Sequence, residues 1–147
     1  MNIRKASIAD TAKIAPLFDA YRQFYEQEAN LEFAKQFISD RLSNSESIIF
    51  IAEDESQTAL GFCQIYPSFC SVIAAPIYTL SDLFVSPDAR KSGLGKMLLE
   101  KAHEHALENN IPRMDLTTAK TNLTAQSLYE SLGWERDDIF YAYNKSV

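Results

Sequence analysis

The scarcity of glycine is what most constrains this chain. Only four glycines occur in 147 residues. Two of them, Gly93 and Gly95, fall in one stretch from Leu80 to Leu99, which reads L-S-D-L-F-V-S-P-D-A-R-K-S-G-L-G-K-M-L-L. Leu80 to Val85 is a short apolar run with Asp82 inside it, and it predicts a strand. Ser86-Pro87-Asp88 breaks the run, because proline brings no backbone donor to a ladder. From Leu94 the apolar residues return at helical spacing, as Leu94, Leu98, Ala102 and Ala106. Glycines at the mouth of a helix leave bare backbone, where free N–H groups and the positive helix end suit an anion. Arg90, Lys91 and Lys96 add positive charge at the same place. Glycines alone would only ease a strand-to-helix turn; with these cations, the stretch reads as a phosphate-binding loop.

Arg90-x-x-Gly93-x-Gly95 resembles the acyl-CoA pyrophosphate loop of the GNAT superfamily of N-acetyltransferases, R/Q-x-x-G-x-G/A. Two other glycine loops fail on the residues themselves. A P-loop needs glycine where Arg90 stands and serine or threonine where Met97 stands. A dinucleotide fingerprint needs a third glycine at the position of Leu98.

Composition bounds the rest. The length fits one domain, residues 1–147, with a full core, and no low-complexity linker divides it. The apolar runs are far shorter than a membrane span, and Arg4, Lys5, Asp10 and Lys13 interrupt any apolar leader. The chain therefore reads as cytoplasmic, with no membrane partner. A net charge of −6 argues against nucleic acid as a partner and is compatible with a cationic substrate. Cys63 and Cys70, the two cysteines, read as buried free thiols. His103 and His105, two apart on a helix, point different ways and make a poor metal pair, so no metal is expected.

Along the chain, Ile3 to Ala6 predicts a first strand, and Ser7-x-x-Asp10 a helix start. Ile14, Leu17, Phe18, Tyr21, Phe24 and Tyr25 form one helical face. A second helix covers Leu31 to Leu42. Ser47 to Glu53 and Ala59 to Tyr66 form a hairpin ended by Pro67, with Gly61 marking a bulge or a close approach. Arg113 to Thr118 alternates as a strand. A helix from about Asn122 to Leu132 stops at Gly133, and Trp134 to Asp138 with Ile139 to Asn144 closes the chain as a strand pair or one bulged strand. The sum is mixed α/β, a sheet with helices on both faces.

A second segment, Asn122-x-x-Ala125-x-x-Leu128-Tyr129-Glu130-x-Leu132-Gly133-Trp134, resembles the superfamily's N-x-x-A-x-x-L/F-Y-x-x-L-G-F/W. Offsets of three and seven put Asn122, Ala125 and Tyr129 on one helical face. Leu128, Leu132 and Trp134 are assigned to packing. The resemblance covers the second half of the chain well and the first half in element order only. It implies the GNAT fold, a mostly antiparallel sheet with a splayed central strand pair. It also implies acetyl-CoA as donor and direct transfer to an amine. The backbone of Leu83, Phe84 and Val85 would then pair with pantetheine, and Arg90, Lys91, Ser92, Gly93, Leu94, Gly95 and Lys96 would cradle the pyrophosphate. Asn122 would approach the cofactor and Tyr129 would stand beside its sulfur. Lys91 departs from the family, where many members carry glycine, and a modest effect on the loop is expected.

The chemistry agrees. A primary amine, with a reference pKa near 10.4, must lose a proton before it attacks a thioester. A tyrosine hydroxyl can protonate the departing thiolate, and a backbone N–H near Phe84 or Val85 can steady the oxyanion. Asp82 is the candidate base or substrate anchor, the two roles left open, with a structural use the bland alternative; many members of the resembled family carry glutamate near this strand position, and here Ser81 precedes the aspartate. Tyr25, Glu26, Glu28 and Tyr66 are candidate acceptor-site residues, with a solvated helix end and core aromatics equally open.

Leu80-x-Asp82-Leu83-Phe84-Val85 and Tyr66-Pro67-Ser68-Phe69 look most like the branch acting on diamines and amino-acid-type amines. A protein-lysine or N-terminal acetyltransferase is the alternative within enzymes. A non-catalytic acyl-CoA sensor is the alternative outside them, and Tyr129 and Asp82 speak against it. Phe140-Tyr141-Ala142-Tyr143 alternates like an edge strand, so a homodimer and a solvated edge both stay open.

Overall fold

The apolar runs of the first half assemble into a sheet. In the computed structural model, which describes residues 1–147, the chain divides into two units, Met1–Leu116 and Thr117–Val147. The first unit holds strands β1 (Asn2–Lys5), β2 (Ile48–Glu53), β3 (Ala59–Cys70), β4 (Ala75–Val85) and β5 (Met114–Asp115). It also holds helices α1 (Thr11–Phe24), α2 (Leu31–Ser43) and α3 (Leu94–Glu108), and the second unit carries α4 (Leu123–Ser131). The strands lie in the order β1-β2-β3-β4-β5, antiparallel throughout except for the parallel β4–β5 pair. This is a mixed α/β fold with a mostly antiparallel sheet, as the sequence predicts.

Each face of the sheet is covered by helix. On one face Ile14 and Phe18 of α1 and Ala34 and Ile38 of α2 pack on Ile49, Ile51, Phe62 and Phe84. On the other, the Cys63 thiol reaches the Leu98 carbonyl of α3, and His105 of α3 packs on Phe50 and Tyr78. Burial lowers the His105 pKa, which suits a packing role. Side chains such as Ile14, Ile38, Phe62 and Leu98 are fully buried, each contributing about 1.5–3 kcal/mol of transfer free energy.

One irregularity decides which face Asp82 occupies. Strict alternation would place Asp82 with Tyr78 and Leu80, on the α3 face. The β3–β4 register instead shifts between Gln64 and Ile65, so that Gln64 opposes Asp82 while Ile65 opposes Leu80. Ser81 is the extra residue, a β-bulge of the kind that re-aims side chains. Beyond it, Asp82 and Phe84 lie opposite Gln64 and Phe62, on the face covered by α1. Gly61 proves to be a close approach: a Cβ there would meet the Phe84 carbonyl oxygen at 2.8 Å.

Three expectations change. β3 continues through Pro67 to Cys70. The last β2 partner of β3 is Ile65, paired with Ile48, so Pro67 lies where β3 has a neighbour on one side only, and an edge tolerates proline. The Arg113–Thr118 strand shrinks to Met114–Asp115, paired with Tyr78 and Thr79. After these two pairs the ladder stops, and β4 from Leu80 to Val85 keeps an edge without a strand partner. No residue beyond Asp115 joins a ladder, so the closing strands predicted over 134–144 are absent. Alternation supplies a strand-forming sequence, but a ladder also needs a partner edge.

Candidate active site

Asp82 is only 7% exposed, and every donor around it is neutral. The Gln64 side-chain amide donates to its Oδ2, and the Ser47 hydroxyl donates to the Gln64 Oε1 at 2.8 Å. Ser47 and Gln64 are themselves buried. The Tyr21 hydroxyl of α1 donates to the carbonyl of Ser81, the bulge residue, at 3.2 Å. Burial raises the Asp82 pKa above the ordinary carboxylate value, against the lowering effect of hydrogen bonds from Gln64, Tyr21 and Ser81. The result is a buried carboxyl with a strengthened appetite for a proton.

Aromatic rings surround this group. Tyr21 meets Phe84 at 6.2 Å, Phe62 at 6.1 Å and Tyr25 at 5.1 Å between ring centroids, all edge-on. Tyr66 lies on the same strand face as Gln64, and burial, with the Asp82 charge adding to it, pushes its hydroxyl up to about 12. Of the residues predicted to line an acceptor site, Tyr25 and Tyr66 thus gather toward Asp82. Glu26 and Glu28 stand exposed in the turn after α1, and their carboxylates join no hydrogen bond of the Asp82 group.

The loop between β4 and α3 is organised by backbone. Lys91 and Gly93 both adopt left-handed conformations, with φ of +64° and +83°. A Cβ on Gly93 would meet nothing within 4 Å, so glycine at 93 serves the backbone conformation and leaves the surface open. Lys91 takes this conformation without being glycine, which gives a physical reason for glycine at that position in the resembled family. No side chain caps α3, and its first intrahelical bond runs from the Met97 N–H to the Gly93 carbonyl at 3.0 Å. The N–H groups of Leu94, Gly95 and Lys96 therefore lack intrahelical acceptors. The Ser92 hydroxyl donates to the Ala89 carbonyl, which folds the loop on itself. Arg90 ties it to the strand: its Nε donates to the Val85 carbonyl at 3.1 Å and its guanidinium lies 5.6 Å from the Phe84 ring. Open N–H groups beside Arg90, Lys91 and Lys96 form the donor set a pyrophosphate requires. The free edge of Leu83, Phe84 and Val85 leads directly into it.

In the second unit, Asn122 is the N-cap of α4, its Oδ1 accepting from the Ala125 N–H at 3.1 Å. The helix ends in a Schellman motif, with Gly133 N–H to the Glu130 carbonyl and Trp134 N–H to the Tyr129 carbonyl. Tyr129 is half-buried, its ring 6.2 Å from that of Trp134.

Sequence reasoning missed Gln64 and Tyr21 as partners of Asp82, and Ser47 as the partner of Gln64. One signal was present: a glutamine inside the apolar run F-C-Q-I-Y, since a buried amide must be hydrogen-bonded. Its partner depended on the bulge, which no motif announces.

A sequence model of the acetyltransferase (GNAT) family matches residues 14–134. An uncharacterized N-acetyltransferase of Bacillus subtilis (strain 168) is 47% identical over 147 residues, covering 100% of this chain and 98% of its own. The crystal structure of a probable acetyltransferase superposes with a TM-score of 0.94 at 36% identity, covering 100% of this chain and 98% of that one. A thialysine N-epsilon-acetyltransferase of Bos taurus is 30% identical over 81 residues, 55% of this chain and 47% of its own.

Proposed function

The chain belongs to the acetyltransferase (GNAT) family, and from that premise we propose that it moves an acetyl group from acetyl-CoA directly to the primary amine of a small, cationic molecule, polyamine or amino-acid-like. One observation carries this reading: a buried carboxylate held only by neutral donors, on the strand that runs into an open, cationic helix N-terminus. Acetyl-CoA, when bound, supplies a thioester carbonyl activated for attack. The backbone of Leu83–Val85 and the Arg90–Lys96 loop would hold it, the first through unpaired strand groups, the second through N–H groups and cations. No metal enters the proposal.

The amine arrives protonated, since its reference pKa is near 10.4. Asp82 attracts the ammonium and takes its proton, a task helped by burial that raises the carboxyl pKa. Tyr21, Tyr25 and Tyr66 offer the aromatic surroundings a cation favours, and Glu26 and Glu28 add negative charge at the end of α1. Tyr129 is assigned the proton-donor role toward the departing thiolate, and Asn122 a cofactor contact, both on the motif that carries them. The family match spans both units, which supports reading residues 1–147 as one functional domain. The net charge of −6 and the thialysine-type relative favour a small basic acceptor over a peptide.

No helix is long and apolar enough to cross a membrane. Both cysteines are free, which supports a cytoplasmic setting. A homodimer through the tail belongs to the same proposal: Phe140, Tyr141 and Tyr143 are 78%, 90% and 92% exposed and join no ladder, which favours a second copy as their partner. Sedimentation of a monomer at micromolar concentration would remove the dimer.

The deciding experiment is thiol release from acetyl-CoA across diamines, polyamines, amino acids and one basic peptide. Saturable turnover with a small amine supports the reading. Turnover with the peptide alone moves the acceptor to protein. Acetyl-CoA binding without any turnover overturns the catalytic assignment.

A further inference from the structure

We propose that Gln64 is a positioning residue for Asp82, and that Ser47 completes a Ser47–Gln64–Asp82 chain on which the carboxylate's function depends. The inference rests on Asp82 acting as proton acceptor and adds two residues to that machinery.

The argument begins with burial. Gln64 is 0% exposed and occupies β3, between β4, which carries Asp82, and β2, which begins at the residue after Ser47. An amide in that place costs free energy unless its donors and acceptor are met, and leucine or methionine would fill the space without that demand. The amide is met on both sides, by the Ser47 hydroxyl at its Oε1 and by Asp82 Oδ2 at its Nε2. No buried side-chain nitrogen or oxygen in the chain is left unpaired.

Chemistry sets the polarity of the chain. An ionised carboxylate only accepts, so the Gln64 NH₂ must face Asp82 and its carbonyl must face Ser47. Ser47 then must donate. The three groups have one consistent arrangement when Asp82 is charged. Its Oδ2 is held by a donor that carries no charge, so the carboxylate is fixed in place without being neutralised.

The groups facing Asp82 are Tyr21 from α1, Gln64 and Tyr66 from β3, and Ser81 from its own strand. Arg41 of α2, paired with Glu46 at 3.2 Å, acts on Tyr66. Cys63, on the opposite face of β3, feels the Asp82 charge. Among these, Gln64 is the strongest of the influences that keep the carboxyl ionised. Removing it leaves burial less opposed, so Asp82 should take its proton at higher pH.

The test is a carboxyl carbon-13 NMR titration of the protein without ligand, with the Asp82 signal assigned by its loss in Asp82→Asn. In Gln64→Leu the midpoint rises by about one pH unit, a tenfold change in proton affinity. Ser47→Ala, which keeps the amide and guards against a misfolded Gln64 variant, shifts it in the same direction by less. With acetyl-CoA and spermidine or lysine as acceptor, the acid limb of kcat/KM moves up in step, so activity lost near neutrality returns in more alkaline buffer. An unmoved midpoint in both variants overturns the proposal and leaves Gln64 as packing. Full activity in Asp82→Asn overturns the proton-acceptor reading instead, whatever the NMR midpoint does.

Discussion

The sheet buries two sets of carboxylates and treats them in opposite ways. At the β1–β2 side, Asp10 and Glu53 are 7% and 4% exposed. Arg4 grips both oxygens of Asp10, at 2.7 and 3.0 Å, and also donates to Glu53, whose other oxygen takes Lys13 at 2.6 Å. The Arg4 hydrogen bonds hold the Asp10 carboxyl down to about 2 and the Glu53 carboxyl below its ordinary value, Lys13 helping the second. Asp82 is as little exposed to solvent as Asp10, yet its pKa goes up. Burial pushes both carboxyls up and is the largest influence on Asp82; at Asp10 the Arg4 guanidinium outweighs it, and beside Asp82 no cation does. A cation that neutralises a carboxylate also removes its use as a proton acceptor, whereas an amide and a phenol hold it and leave it basic. The first arrangement fastens the N-terminal strand to the sheet; the second suits chemistry.

The largest effect that tests this contrast is expected from Asp82→Asn. Turnover of acetyl-CoA with the preferred amine falls about 100-fold or more, the usual scale of a lost general base. Stability should move the other way. A group whose folded pKa is raised contributes stability below its unfolded value and loses it as pH rises through the folded one. Above the folded value the wild type has lost that contribution, and there the asparagine variant should melt at a higher temperature. A lower melting temperature together with retained turnover would make Asp82 a structural carboxylate like Asp10, and the contrast would collapse.

The two regions also differ in how far the sequence discloses them. The Ser7–Asp10 helix start is legible because capping is local: the Ser7 N–H donates to Asp10 Oδ2 at 2.8 Å, three residues away. The Arg90–Lys96 loop is legible because left-handed backbone at position 93 restricts residue choice, so glycine marks it. Asp82 is visible as a charge in an apolar strand. Its partners are not, because the Gln64 pairing spans 18 residues of sequence and hangs on the bulge at Ser81. The same limit applies to Arg4 and Glu53, 49 residues apart. It applies again to the tail, whose alternation around Phe140 and Tyr143 shows strand propensity without showing a partner edge. Local rules of capping and turns are written in neighbouring residues; register is written across the sheet.

Arg4→Met sharpens the structural half of the comparison. It deprives two buried carboxylates of their shared cation. Breaking a buried pair from one side costs about 3–5 kcal/mol, and since 37% of the Arg4 side chain is exposed, solvent screening reduces this to about 2 kcal/mol. The melting temperature should fall by about 4–8 °C, while kcat of the folded enzyme stays at the wild-type value. The pH dependence has a definite sign. Asp10 has a depressed pKa, so its contribution is present above the unfolded value of 3.8 and is lost as pH falls toward about 2. Acid unfolding between those values should be steeper in wild type than in Arg4→Met. Equal slopes would show that the Arg4 cluster is not what acid dismantles.

Lys13→Met should have the smallest effect, and it asks whether the cluster acts as a unit. Lys13 pairs with Glu53 and acts on Asp10 only as the least of the influences there, its side chain is 36% exposed, and Glu53 keeps Arg4 when it is gone. A half-exposed ammonium contributes about 0.5 kcal/mol, or a drop of about 1–2 °C in melting temperature. The guanidinium already donates to the Glu53 carboxylate, so no buried charge is left without a partner. If Lys13→Met costs as much as Arg4→Met, the two cations are coupled through Glu53, and their double variant will lose less than the sum of the singles. If it costs the smaller amount, Arg4 alone sets the structural carboxylates apart from Asp82. The distinction between the two regions then rests on a single guanidinium, present beside Asp10 and Glu53 and replaced by neutral donors beside Asp82.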